Sequence, residues 1–482
     1  MKKSNKYKIF ALAVGLGISA VACSPDDFGD MNINPNNPAA ANTAGILTGA
    51  LRNVGAMATD MVPALYTQQF GDITYIEESR YKTINFSYNG YYAGGPLNSY
   101  KTIIDLNTAE ATKTTAAANG SNANQIAVSR ILKAYTFLWL TDRWGDIPYS
   151  QALQGSSNFS PGFDTQQAIY TDLFKELKEA QAQFDGGKAV VGDILLSGSA
   201  TRWKKFANSL RMIMALRLSK VDPAKGKAEF AAALADGVLA SNADNVKYTY
   251  LTESNNEHPL YNNYIVTNRK DYALSDVFVN KLLATNDPRI AGMADKNING
   301  VYSGVPYGVF PAAAKAQDVS LAATAIRQQN SSVNVVTYAQ ILFSQAEAAK
   351  LGWITGDVKT LYEAAVKASI QQWLGTAATD AVVTTYLAQD AVKYDDAKAY
   401  ELIATQKWIA LFYQGNEAWA EWRRTGYPVL TPAAKPLNPS GQIPRRMAYP
   451  VTETTLNKVN YDKVVASQGP DTQDTRVWWD KK

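Results

Sequence analysis

Apolar residues recur at the spacing of one helix face along most of this chain, and that periodicity restricts the fold more than any other feature. In residues 125–142, Val128, Ile131, Leu132, Tyr135, Leu138 and Trp139 fall at i, i+3 and i+4. In 401–424, Trp408, Leu411, Phe412, Gly415, Trp419 and Trp422 do the same, within a helix predicted over 396–424 as a whole. Similar stretches predict helices over 46–59, 97–110, 165–184, 200–219, 226–239, 275–284, 337–351 and 358–373. Small residues such as Ala346, Ala348, Ala349, Ala364, Ala365 and Ala368 let neighbouring helices approach closely. The expected fold class is mainly α, a tetratricopeptide-like scaffold of helix pairs, although no strict repeat shows. Long Gly, Asn, Tyr, Ser and Pro stretches separate the helices at 70–96, 144–164, 185–199, 244–274, 296–336 and 426–482. Only short strands fit in them, for example Lys247–Leu251 and Val333–Val336.

The start of the chain has a different character. Lys2, Lys3, Lys6 and Lys8 precede an apolar run from Ile9 to Ala22, which is shorter than the roughly 20 residues that span a bilayer. A basic start and a short apolar run ending in small residues make a secretory signal. Ala20-Val21-Ala22-Cys23 resembles a bacterial lipobox, with Ala20 where that pattern usually carries Leu. On that reading residues 1–22 are a lipoprotein signal peptide and Cys23 is acylated; the competing reading is a buried free thiol. Residues 23–45 form an Asn/Pro-rich tether with Asp26, Asp27 and Asp30 near its start, and 46–482 form one domain.

Composition then removes function classes. Cys23 is the only cysteine and His258 the only histidine, so an internal disulfide framework and zinc sites of clustered Cys and His are impossible. His258 precedes Pro259 in a polar loop with no Ser partner nearby. Without residues 1–22, acidic and basic side chains are equal in number, which argues against nucleic acid as a partner. Glu77-Glu78 and Asp395-Asp396 are adjacent, point apart, and read as solvated faces. Carboxylates distant in sequence remain free to pair as in glycoside hydrolases. No catalytic residue, metal or cofactor is expected.

The chain carries 27 Tyr against 15 Phe. A phenol offers a flat apolar face and a polar tip, which suits half-wet surfaces. Tyr66, Tyr75, Tyr81, Tyr88, Tyr91, Tyr92 and Tyr100 cluster in one stretch; Tyr248, Tyr250, Tyr261, Tyr264 and Tyr272 cluster in another. Rings can stack on sugar C–H faces while Asn, Asp and Arg bond the hydroxyls, and an extended peptide would suit the same surface. Packing of loops onto helices is the alternative for any one Tyr. The candidate ligand-binding residues are Tyr75, Tyr81, Tyr91, Tyr92, Tyr261 and Tyr264, with Arg269 as a polar partner. Trp139, Trp203, Trp353, Trp373, Trp408 and Trp419 lie on helical patterns and read as core, whereas Trp478 and Trp479 either pin the tail or lie exposed.

Several motifs follow one another in order: Asn34-Pro-Asn-Asn-Pro38, Thr141-Asp-Arg-Trp-Gly-Asp-Ile-Pro-Tyr149, Arg202-Trp-Lys-Lys-Phe-Ala-Asn-Ser-Leu-Arg211, Gln406-Lys-Trp-Ile-Ala-Leu-Phe412, Glu417-Ala-Trp-Ala-Glu-Trp-Arg-Arg-Thr-Gly-Tyr-Pro428 and Pro444-Arg-Arg-Met-Ala-Tyr-Pro450. Behind a lipobox, this series resembles the SusD/RagB family of Bacteroidetes outer-membrane lipoproteins, in its SusD-like branch, from residue 20 to about 465. The resemblance implies a surface-exposed, lipid-anchored, non-enzymatic protein. It would capture glycans, or in some members peptides, and deliver them to a SusC-like TonB-dependent outer-membrane transporter. It also implies that loops, not helices, hold the ligand. A surface glycoside hydrolase and a purely structural protein are the other readings. The motifs themselves read as structural: Arg143 and Asp146 are expected to pair across the turn at Gly145, and Glu421, Arg423 and Arg424 to brace a helix end closed by Gly426 and Pro428.

Overall fold

The computed structural model describes residues 42–83 and 86–481. The expected signal segment, the lipidation site Cys23 and the tether up to residue 41 lie outside the described residues. Helices dominate, in the order α1 Thr43–Ala58, α2 Met61–Tyr66, α3 Pro96–Thr108, α4 Asn122–Trp144, α5 Gln166–Gln183, α6 Ala200–Arg217, α7 Pro223–Asp236, α8 Asp276–Ala284, α9 Tyr338–Lys350, α10 Val358–Leu374, α11 Asp380–Leu387, α12 Ala399–Ala410, α13 Gly415–Thr425, α14 Val451–Leu456 and α15 Lys458–Gln468. Three two-stranded antiparallel ribbons interrupt them: β1 Phe70–Asp72 with β5 Tyr272–Leu274, β2 Ile147–Pro148 with β3 Phe163–Asp164, and β4 Val246–Thr249 with β6 Ser332–Val336.

The helices start where short polar side chains can satisfy the free N–H groups of a first turn. Ser121, Thr165, Ser199, Asp222, Ser275, Thr337, Asp357 and Thr379 each accept such a hydrogen bond. Successive helices pack side by side, α3 on α4, α4 on α5, α5 on α6 and α6 on α7. A second group pairs α9 with α10 and with α12. This is the mainly α, helix-pair scaffold expected, with few strands. One core unites most of it, including Trp139, Trp203, Trp353, Trp408 and Trp419; a smaller cluster lies between α9, α10, α11 and α12.

Three expectations need correction. The predicted helix over 396–424 breaks into α12 and α13. Tyr413 takes a left-handed φ of 62°, and Gly415 then meets α2 so closely that a Cβ there would lie 2.5 Å from the Ala64 backbone nitrogen. The stretch 426–482 is not loop throughout, since it contains α14 and α15. Val464 is the sole buried residue of α15, too thin an apolar stripe to read. Arg143 does not pair with Asp146. Its guanidinium lies 3.9 Å from the Trp139 ring centroid and reaches Asp60 at the N-cap of α2, while Asp146 accepts the Gln166 N–H at 2.8 Å. The Gly145 turn is held instead from α15, where Gln468 accepts the Asp146 N–H and donates to the Trp144 carbonyl. Trp479 pins the tail, one of the two readings its sequence position allowed; it is buried and donates to Asp142 at 3.0 Å.

Charge is buried at the centre of this scaffold. Arg217 at the end of α6 is fully buried, 3.1 Å from Asp142 of α4 and 3.0 Å from Glu417 of α13. On the next turn of α13, Glu421 lies 2.8 Å from Lys407 of α12 and 2.7 Å from Arg424, and Arg424 lies 2.5 Å from Glu347 of α9. Burial alone would raise the Glu421 carboxyl, but Arg424 and then Lys407 hold it well below the usual range. Asp142 is raised instead, because burial outweighs the Arg217 charge. Glu421 and Arg424 therefore brace the helix end, as their motif suggests.

Removing one partner from such a network leaves a buried charge unopposed. We expect Arg217→Met to cost about 3–5 kcal/mol in urea unfolding at neutral pH. Lys458→Ala, which removes an exposed pair with Asp462, should change stability by at most about 0.5 kcal/mol. Equal effects from the two variants would show that the buried network contributes no more than a surface pair.

Candidate functional site

The β1–β5 ribbon is three residues long, with Phe70 opposite Leu274 and Asp72 opposite Tyr272. The loop that leaves β1 and the loop that enters β5 therefore emerge at the same end, and the Ile73 N–H closes the ladder on the Asp271 carbonyl at 2.7 Å. A third segment joins where Val305 donates to the Leu274 carbonyl at 2.8 Å, and Tyr307 bonds back to the Leu65 carbonyl of α2 at 2.6 Å. A fourth is tied on through Leu437 N–H to Arg80 O, Lys435 N–H to Gly308 O, and Arg80 Nε–H to Lys435 O. Loops far apart in sequence are thus fastened to one rigid edge.

Two aromatic rings stand out from this edge, each with a guanidinium against its face. Tyr75 is 58% exposed and lies 5.1 Å from Arg269; Phe310 is 64% exposed and lies 4.9 Å from Arg80. Arg269 is oriented by Asp271 at 2.9 Å, and Asp271 is held in turn by the Asn263 amide at 2.7 Å. Ile265 and Val266 add exposed apolar surface on the same loop. The arrangement offers flat apolar faces for C–H groups beside donors and acceptors for hydroxyls.

The turn bearing Tyr75 is held from beneath by Asp72. Its Oδ2 accepts both the Ser79 N–H at 2.7 Å and the Ser79 hydroxyl at 2.8 Å. Those bonds favour the carboxylate, but burial is stronger and pushes the Asp72 pKa up to about 7. Glu78 is also raised, first by burial and then by Asp60 and Asp271.

The candidates divide on placement. Tyr75 and Arg269 lie together on the exposed edge. Tyr81 and Tyr264 are buried and are removed from the candidate surface. The Tyr81 hydroxyl accepts the Ala433 N–H at 2.9 Å, and Tyr264 bonds to the Tyr272 carbonyl. Tyr91 is half-buried against Trp139 at 5.0 Å, its phenol pushed up to about 12 by burial. Tyr92 is half-buried between Tyr88 and Phe137 and donates to the Pro148 carbonyl at 2.8 Å. Tyr261 is half-buried at the end of a single turn, Pro259–Tyr261. Arg80 and Phe310 are additions from the structure. Nothing in Gly-Val-Phe-Pro distinguishes an exposed ring from a turn residue, and the pairing with Arg80 spans a long sequence separation. His258 is buried between Tyr250 and Tyr413, caps a turn through the Leu260 N–H, and has its pKa pushed down to about 4 by burial. It is a packing residue.

The family model described as SusD-like, starch-binding and associating with the outer membrane, matches residues 35–450. A chitin-binding protein shares 28% identity at a TM-score of 0.81, over 92% of this chain and 100% of its own. A chitin-binding SusD homologue from Flavobacterium johnsoniae shares 25% identity at a TM-score of 0.74, over 91% of this chain and 99% of its own. A SusD homologue from Bacteroides fragilis shares 25% identity at a TM-score of 0.78, over 92% and 100%. No curated protein sequence matches the chain. Among the described residues, no helix is long and apolar enough to cross a membrane. The match along most of the chain and the shared helical architecture establish that this protein belongs to the SusD-like family of outer-membrane-associated proteins.

Proposed function

We propose that the protein is a non-catalytic, cell-surface lipoprotein that captures oligosaccharides and passes them to a SusC-like TonB-dependent transporter of the outer membrane. The observation that carries this reading is the pair of exposed ring–guanidinium units, Tyr75 with Arg269 and Phe310 with Arg80, on loops fastened to a rigid edge. Rings held in place before the ligand arrives reduce the ordering cost of binding. Family membership supports the same reading, as do the chitin-binding names of two structural relatives. The acylated Cys23 would supply the anchor. Asp72, the carboxyl with the largest upward displacement near the loops, is buried and bonded to Ser79, which suits a loop support better than an acid facing a substrate.

Three outcomes follow. Tyr75→Ala with Arg269→Ala should lower affinity for chitohexaose or maltohexaose about tenfold, roughly 1.4 kcal/mol, in calorimetric titration, with an unchanged thermal midpoint because both side chains are exposed. Unchanged affinity for a glycan that the wild type binds would remove this edge from the site. Cys23→Ser should move the protein from the outer-membrane fraction to the soluble fraction of the cell; retention in the membrane would rule out an acyl anchor. The third concerns pH. Asp72 has a raised folded-state pKa, so the native protein holds a proton that the unfolded chain has lost between pH 4 and 7. Its contribution to stability therefore falls as pH rises through that window. Asp72→Asn should flatten the slope of unfolding free energy against pH between those limits; an unaltered slope would show that Asp72 titrates normally.

A further inference from the structure

A cleft of about 390 Å³ lies between the loop before α3, the loop joining β2 to β3, and α14. It shares no residue with the ring–guanidinium edge. Its volume lies in the range of sites that enclose small ligands, about 300–1,000 Å³. Tyr88 and Tyr92 form part of its wall, their rings 5.6 Å apart. Phe159 stands at the lip and is 82% exposed, with no ring stacked on it among the described residues. Asn98 and Gln154 contribute exposed amides to the lining.

The loop that presents Phe159 is firmly held. Asn457 and Asn460, at the start of α15, donate to the Pro161 and Ser160 carbonyls at 2.9 and 3.0 Å. Leu153, also in the lining, takes a left-handed φ of 62°. A leucine in that region costs of order 1 kcal/mol or more, and such strain persists only where its surroundings enforce it. An exposed ring on a loop fixed in this way has no packing role that would account for its position.

Charge selects the ligand class. Glu453 is the only charged side chain among the described lining residues, and both its oxygens are already engaged, by the Tyr88 hydroxyl at 3.1 Å and the Asn457 amide at 3.0 Å. Among the described lining residues there is no cation, so uronates, sulfated sugars and peptide carboxylates find no partner there. Rings and amides without free charge suit a neutral pyranose: one C–H face against Phe159, hydroxyls toward Asn98 and Gln154. From this geometry we infer that the cleft is a second binding site for a neutral sugar unit, separate from the edge that carries Tyr75. The inference rests on the capture reading, since both sites would serve the same polymer.

The test uses the full-length protein in detergent, titrated calorimetrically with chitohexaose and maltohexaose. Tyr75→Ala/Arg269→Ala should retain weak binding, and adding Phe159→Ala/Gln154→Ala should reduce it at least a further fivefold. All four side chains are exposed, and unchanged thermal midpoints would verify folding. If the Phe159→Ala/Gln154→Ala pair alters neither wild-type affinity nor the residual binding, the second site is wrong while the first still stands. If only the Phe159 pair matters, the second site stands and the first falls. If the wild type binds neither hexasaccharide, both fall together.

Discussion

The architecture turns on a set of charges that have been taken out of water. Arg217 meets Asp142 and Glu417, and one turn further along α13 Glu421 meets Lys407 and Arg424, which reaches Glu347. Each ion loses hydration worth several kcal/mol, so each must find its counter-ion at hydrogen-bond distance. That requirement fixes α4, α6, α9, α12 and α13 in one mutual arrangement, because sliding any of them by a turn would strand a charge. Apolar packing alone would tolerate such slips far better. The consequence reaches the loops, since α13 touches α2 at Gly415 and Ala64, and α2 leads directly into the β1–β5 ribbon.

Tyrosine plays two roles here, separated by where the phenol oxygen ends up. Tyr307, Tyr362 and Tyr449 are buried and bond to the carbonyls of Leu65, Val392 and Asp146. A carbonyl in a loop or at the last turn of a helix lacks the regular ladder partner, and a buried phenol can bond to it from the end of a large apolar body. These side chains fasten loops to helices. Tyr75 differs in having no such carbonyl to serve, so its face stays in water beside Arg269. The abundance of tyrosine thus reports first on how much irregular backbone must be held down, and only second on a ligand.

What the sequence revealed follows the range of each interaction. Helix periodicity and N-capping residues act within a few positions, and the long helices lie within about three residues of their expected bounds, as in α9 and α10. The strands β4 and β6 were also legible, though not their pairing, because alternate residues such as Val246 and Tyr248 turn inward. The β1–β5 and β2–β3 ribbons were not, since two or three residues carry no period. The break at Tyr413 arises from the approach of α2, which no local pattern records. Pairing was harder still: Arg143 finds Asp60, 83 positions away at the N-cap of α2, rather than its near neighbour Asp146, which accepts the Gln166 N–H instead. The same limit governed the candidate site. Tyr75 and Tyr81 look alike in sequence, yet one is exposed and the other lies beneath the Ala433 strand of loop.

A rigid helical scaffold with recognition confined to its loops is suited to ligands that are long, repetitive and weakly held at any single point. One exposed ring against one sugar face contributes little, because water competes for every hydroxyl. Repetition changes the arithmetic: two contacts on one rigid body let the second bind as an intramolecular event, so affinity for a polymer can exceed that for its unit by orders of magnitude. The same arrangement permits release, since each contact breaks independently and none requires the buried charges to move. On the proposed capture reading, strength belongs in the core, where the ion network resists rearrangement, and weakness at the rim, where a captured chain would be let go.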